Sequence, residues 1–341
     1  MRLTGLMLAI VLGAAVSCSS QAADPGGTVP PKADIPTEPP RVVKTLSMAG
    51  NPWAVAVDSK KAKIYLADPN RDAITVMDNN GQVKATITGV ANPQTLVADP
   101  SHNAVYVPNG TCSQGELAVV DTNDDQIRSF ITVGVAPTAA AIDPTSGQMY
   151  VINHGCPDAF DSTLSIIDTG RRHVISEFPI GRSASLADID PDTEKVYVSS
   201  YLRSEGSNLL VVDPAAQDVI TRIPLPGSLG AGAVAVDSAS QSVYITNAQG
   251  SVTVVDTTAN KVRAEIPVGN YPMQIAADPD WKTIYVVNQA DNSVSVIDTR
   301  SNRVTQTIDV GRRPSSIAVD LTTHRAYVTN SDDGTITVIG R

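Results

Sequence analysis

The chain has 341 residues, a formal net charge of −10, three cysteines and 42% hydrophobic residues, of which few are aromatic. The acidic balance excludes a binder of the nucleic-acid backbone, which needs clustered Lys and Arg to displace counterions. The hydrophobic share, rich in Val, Ile and Ala, supports one large β core, since all-β propellers and barrels run long as single domains.

In chain order, residues 1–22 read as an export signal, set aside from the fold. Arg2 gives a short positive start, and residues 6–16 are an apolar stretch shorter than a membrane-spanning helix. Two processing readings stay open. Ala15-Val16-Ser17-Cys18 has the form of a bacterial lipobox, with residues 1–17 removed and Cys18 lipidated. Ser20-Gln21-Ala22 has the small-x-small form of an ordinary cleavage site. Residues 23–40 then form a Pro-rich linker, with DPGGTVPPKADIPTEPP offering no packable face.

From residue 41 the chain repeats. Tyr65, Tyr106, Tyr150, Tyr197, Tyr244, Tyr285 and Tyr327 recur at intervals of 41 to 47 residues. Around each lies the same unit: an apolar run ending in Asp (SIAVD, 316–320), then runs like IYVVN (284–288), SVSVID (293–298) and RVTQTIDVG (303–311). Four short alternating strands separated by turn residues, repeated at this period, predict a propeller blade. Seven tyrosines give seven blades, but the last unit stops after its third strand. Residues 41–49 (RVVKTLSMA) align on 261–269 (KVRAEIPVG), with Val42, Leu46 and Met48 in the places of Val262, Ile266 and Val268. The expected fold is all-β: a seven-bladed β-propeller over residues 41–341 with four-stranded antiparallel blades. The N-terminal strand closes the ring and leaves no unpaired seam.

The tetrads YVTN (327–330), YITN (244–247) and YVVN (285–288), with VGRRPSSIAVD at 310–320, resemble the YVTN-repeat family of seven-bladed β-propellers. The resemblance covers the whole repeat region and implies an exported or surface protein of bacteria or archaea. It implies no particular chemistry.

Loop lengths carry more functional information. From the Asp ending the first strand to the tyrosine the spacing is seven residues in every blade. From the tyrosine to the end of the third strand it is 13, 15, 18, 16, 12, 13 and 13. Growth is therefore confined to the second-to-third loops of blades 2, 3 and 4, with PLPGSLGAG (224–232) lengthening the connection into blade 5. In an up-and-down blade these loops and connections share one face. Loops on a rigid scaffold carry binding; drift in loops that are cheap to lengthen is the plainer reading.

On that face lie Trp53 and Tyr271 in blade-to-blade connections and Phe160 and Tyr201 in long loops, with His154, Arg182, Arg203, Arg312 and Arg313. Glu116, Asp158, Asp161, Glu205, Asp332 and Asp333 stand against them. Aromatic and Arg side chains anchor interfaces, so these nine residues are the candidate binding face. Packing across the channel mouth is the alternative. Cys112 and Cys156 each follow their tyrosine by six residues in adjacent blades and are expected to form a disulfide in an exported protein. A metal site shared with His154 is the runner-up, though NHGC supplies too few ligands.

The other histidines do not converge. His102 and His324 fall in first-to-second-strand turns on the trimmed face, where Trp281 packs locally, and His173 begins a fourth strand. The periodic Asp residues are expected to close turns. No Ser-His-Asp order, metal-spaced carboxylate cluster or Gly-rich phosphate loop is visible. The expectation is an exported, non-enzymatic binding module of the cell envelope, periplasmic or on the surface, with no cofactor. Its partner is an envelope protein, peptide or glycan, not nucleic acid; it is a monomer and meets the membrane only through a lipid on Cys18. The alternative is a propeller enzyme, either a hydrolase or lyase on a small cyclic substrate or a cofactor-dependent oxidoreductase subunit.

Overall fold

The computed structural model describes residues 38–156, 161–227, 230 and 232–341. The proposed signal, Cys18, most of the linker, Asp158 and Phe160 lie outside them. Twenty-eight strands form seven four-stranded antiparallel sheets. Blade 1 consists of Ala54–Asp58, Lys63–Asp68, Ala73–Asp78 and Val83–Thr88. The later blades repeat this order from the channel outwards.

Blade 7 is completed from the other end of the chain. Arg41–Ser47 pairs antiparallel with Thr335–Gly340, with Arg41 opposite Gly340 and Ser47 opposite Thr335. The strand ends two residues short of the sequence alignment, yet the Met48 amide still donates to the Gly334 carbonyl at 2.9 Å. Leu46, the one buried residue of the strand, packs with Val55, Met77 and Ile336 between blades 7 and 1.

Every outer strand carries one extra residue at the same register. These residues are Lys84, Arg128, Ile175, Ile220, Arg263, Thr305 and, in the closing strand, Val43. Such a bulge twists an exposed edge and blunts its pairing with another chain. It also explains why Val43, Ile175 and Ile220 are exposed apolar residues.

The repeated tyrosines join neighbouring blades. Each ring is buried, and several hydroxyls reach the third-to-fourth turn of the next blade. Tyr65 donates to Asp125 Oδ1 at 2.7 Å, Tyr106 to the Thr169 carbonyl at 3.2 Å and Tyr244 to Asn302 Oδ1 at 2.9 Å. Tyr327 donates to Asn79 Oδ1 at 3.5 Å across the closing seam. Burial disfavours the phenolate and pushes the Tyr197 and Tyr244 hydroxyls up to about 12.

The Gly and Asn of the repeat motif form a second joint. Asn330 donates from Nδ2 to Thr335 and Thr337 at 3.0 and 2.9 Å, tying second strand to third. Its amide lies on Gly311 at the end of blade 6, where an added Cβ would meet Asn330 Cγ at 2.7 Å. Gly134 and Gly269 receive Asn153 and Asn288 in the same way. Gly311→Ala is therefore expected to destabilise the protein by about 1–3 kcal/mol through overpacking. Urea denaturation should show that loss and its partial recovery when Asn330→Ala is added. Additive losses would mean that the two residues do not press on each other.

Candidate functional site

The two faces of the disc are built differently. On the trimmed face six of the seven Asp residues that end first strands accept backbone N–H groups from the following turn. The donors are Lys61, Ser101, Thr145, Asp192, Trp281 and Thr322, onto Asp58, Asp99, Asp143, Asp190, Asp278 and Asp320. Asp237 instead leads into the short 3₁₀ turn Ser238–Ser240. These carboxylates hold turns. Trp281 stacks on His324 with ring centroids 4.3 Å apart, and the Arg341 guanidinium lies 4.9 Å from the indole. His324 Nδ1 lies 3.0 Å from buried Asp278 Oδ2. Desolvation raises the Asp278 pKa, and the His324 contact opposes that shift.

On the other face, the second-to-third loops of blades 3, 4, 6 and 7 are bonded to the connections that enter their own blades. The amides of His154, Tyr201, Gln289 and Ser331 donate to the carbonyls of Ala136, Ser183, Tyr271 and Arg313 at 2.9, 3.3, 3.0 and 3.1 Å. All four acceptor residues have φ between 52° and 54°. That left-handed turn is a device of the repeat, so it does not by itself mark Tyr271 or Arg313 as a site.

The candidate residues separate into two arcs. Around blades 3 and 4, His154 is half-buried and its Nδ1 donates to the Ala184 carbonyl at 2.7 Å, joining blade 3 to blade 4. Arg182 is exposed with Nε 3.9 Å from Asp161. Tyr201 is half-buried and Arg203 exposed. Around blades 6, 7 and 1, Tyr271 is exposed, and Arg312 Nε donates to Asp333 Oδ1 at 2.6 Å. Arg313 lies 3.5 Å from Asp332 and 5.9 Å from the ring centre of Trp53. Trp53 is half-buried against the core between blades 1 and 2, so it packs as well as faces solvent.

Cys112 and Cys156 are bonded, with Cα atoms 5.4 Å apart. The lengthened loops of blades 2 and 3 therefore lean together. Beside the bridge is a recess of about 390 Å³ whose lining includes Ser113, Gln114, Asn153, Asp161, Thr163 and Glu177. Asn153 Nδ2 donates to Thr163 and Ser165 at 3.0 and 2.8 Å, and those hydroxyls donate to Glu177 at 2.7 and 3.2 Å.

Sequence reasoning missed this network because Asn153 and the hydroxyls belong to the blade pattern. It also missed Asp188, buried on the inner strand Ala184–Asp190. A signal was present: the other blades have Ala56, Val97, Ala141, Ala235, Ala276 and Ala318 two residues before the terminal Asp. Burial pushes the Asp188 carboxyl up to about 7.

No protein-family model matches the chain, and no curated protein matches it by sequence. Among solved structures it is similar to a chain titled Kuenenia stuttgartiensis hydrazine synthase. The two share 18% identity with a TM-score of 0.72, over 86% of this chain and 96% of that one. The chain is a seven-bladed β-propeller. At that identity the likeness concerns the fold alone, and the propeller's function has to be argued from its own surface.

Proposed function

We propose that this propeller is an exported, non-enzymatic binding module of the cell envelope, of the YVTN-repeat kind. It meets an envelope protein, peptide or glycan through its long-loop face. The carrying observation is the asymmetry of the disc: loops grow on one face only, and there a disulfide fixes two of them. A cross-strut that orders loops lowers the entropy lost on binding. The bridge also suits an oxidising compartment. Three histidines have structural engagements: His102 with Asp99 and Thr169, His154 with the Ala184 carbonyl and His324 with Asp278. Among the described residues no three His, Cys, Asp or Glu side chains gather as a metal cradle.

A photo-crosslinking residue at Tyr271 or Arg203 is expected to yield adducts in the native envelope, whereas one at Lys282 or Arg300 on the trimmed face yields none. Adducts from the trimmed face alone would move the site. The second reading, an enzyme subunit, draws on the likeness to a hydrazine synthase chain. Added mass matching a cofactor in native mass spectrometry of the gently purified protein would favour it over the first.

A further inference from the structure

We infer that the recess between blades 2 and 3 is a subsite for a cationic side chain, a lysine or arginine presented by a peptide segment of the partner. This rests on the long-loop face being the binding face. The disulfide defines the rim: Ser113 and Gln114 follow Cys112, and Gly155 precedes Cys156.

The hydrogen bonds in its wall run one way. Asn153 donates to two hydroxyls, and both hydroxyls donate to Glu177, so their hydrogens are already engaged. Asn153 is 1% exposed, and its Oδ1 has no hydrogen-bond partner among the described residues. The acceptors exposed in this wall are the remaining lone pairs of Glu177 and the Asp161 carboxylate, which lies 3.9 Å from Arg182 Nε; the Asn153 oxygen is buried. Lys and Arg are donors only, with a positive charge to match.

Blade 5 has the carboxylate, with the Thr253 hydroxyl donating to Glu265 at 3.5 Å, but its Asn247 Oδ1 accepts the Gln249 amide, and blades 6 and 7 lack the carboxylate. Asn288 and Asn330 carry the same unpartnered oxygen. Opposite the third-strand residues Ser295 and Thr337, however, the outer strands place Thr307 and Thr45, where blade 3 places Glu177 opposite Ser165. Only blade 3 of these four joins the buried amide to a carboxylate under a loop fixed by a disulfide. None of the described lining residues is aromatic, and the exposed carboxylates of Glu177 and Asp161 match a cationic side chain.

The test uses acetyl-Gly-Lys-Gly-amide, its Arg counterpart and the uncharged norleucine analogue, titrated into the ¹⁵N-labelled protein at low salt. Expected are shifts at the Gly115, Gly134 and Gly155 amides with the cationic peptides only. Glu177→Gln and Asp161→Asn should each weaken binding roughly tenfold. Asp161→Asn should keep the wild-type melting temperature, and Glu177→Gln, which leaves one of the two hydroxyls without its acceptor, should stay folded with a slightly lower one. Equal binding of the norleucine peptide, equal affinity in folded Glu177→Gln, or silence at millimolar peptide would each overturn the subsite. Recess shifts with glucosamine but not the peptides would overturn the peptide source. Crosslinks from Tyr271 or Arg203 that persist while the recess stays silent would remove the subsite and keep the face. Loss of those crosslinks removes both.

Discussion

Deleting Arg41–Ser47 is expected to abolish the cooperative melting transition or lower it by tens of degrees. Six residue pairs join this strand to Thr335–Gly340. A net gain of about 0.5–1.5 kcal/mol for each ladder hydrogen bond makes their combined loss several kcal/mol. Burial of Leu46 in the seam between blades 7 and 1 adds about 1.5–3 kcal/mol. Total stabilities are on the order of 5–15 kcal/mol, so the loss is comparable with the whole. The deletion also bares the edge of Thr335–Gly340, whose residues from Ile336 onward are buried in the intact protein. An exposed, apolar edge recruits other strands. Size-exclusion chromatography should therefore show the variant associating further than the intact protein, and a synthetic peptide of residues 41–49 should reverse that association. A melting temperature unchanged by the deletion would refute closure by this strand.

That closing strand shows why the fold was legible in the sequence. Leu46 sits where Ile266 and Ile308 sit, and the same bulge register at Val43 marks the segment as an outer strand. A four-strand unit repeated seven times, with buried inner strands and one buried apolar residue fixed in the outer strand, leaves little freedom in blade number or register. The tyrosines were legible as markers of the repeat but not as ties between blades, because the Asp125 acceptor of Tyr65 lies 60 residues away. The site was harder for the same reason. Loop lengths identify a face, whereas Asn153 and Glu177 become a network only when strand pairing brings them together. Residue type also says little about packing. Trp53, a candidate anchor by residue type and place, is half-buried in the fold, leaning on the core and lying beside Arg313.

Asp188 should give the protein an unusual dependence of stability on pH. Its Oδ1 accepts the Ile189 amide at 2.9 Å, and its Oδ2 accepts the Val236 amide of blade 5 at 2.8 Å. The neighbouring charged group is Asp190, itself bonded by the Ser238 hydroxyl. Desolvation outweighs the two amides and carries the folded pKa to about 7 from an ordinary 3.8. Between those values the native state holds a proton that the unfolded chain has lost, so this group's contribution to stability falls as pH rises. At 1.36 kcal/mol per pKa unit the fall amounts to roughly 4 kcal/mol between pH 4 and 8. Asp188→Ala removes that slope. It also leaves the Val236 amide without its carboxylate acceptor, at a cost of about 1–3 kcal/mol. Near pH 5 the variant should therefore be the less stable protein, and near pH 8 the difference should close or reverse. Urea denaturation of both proteins at one-unit pH intervals would show the two curves converging or crossing. Parallel curves would mean that the carboxylate titrates alike in folded and unfolded chains, with water reaching it from the central channel.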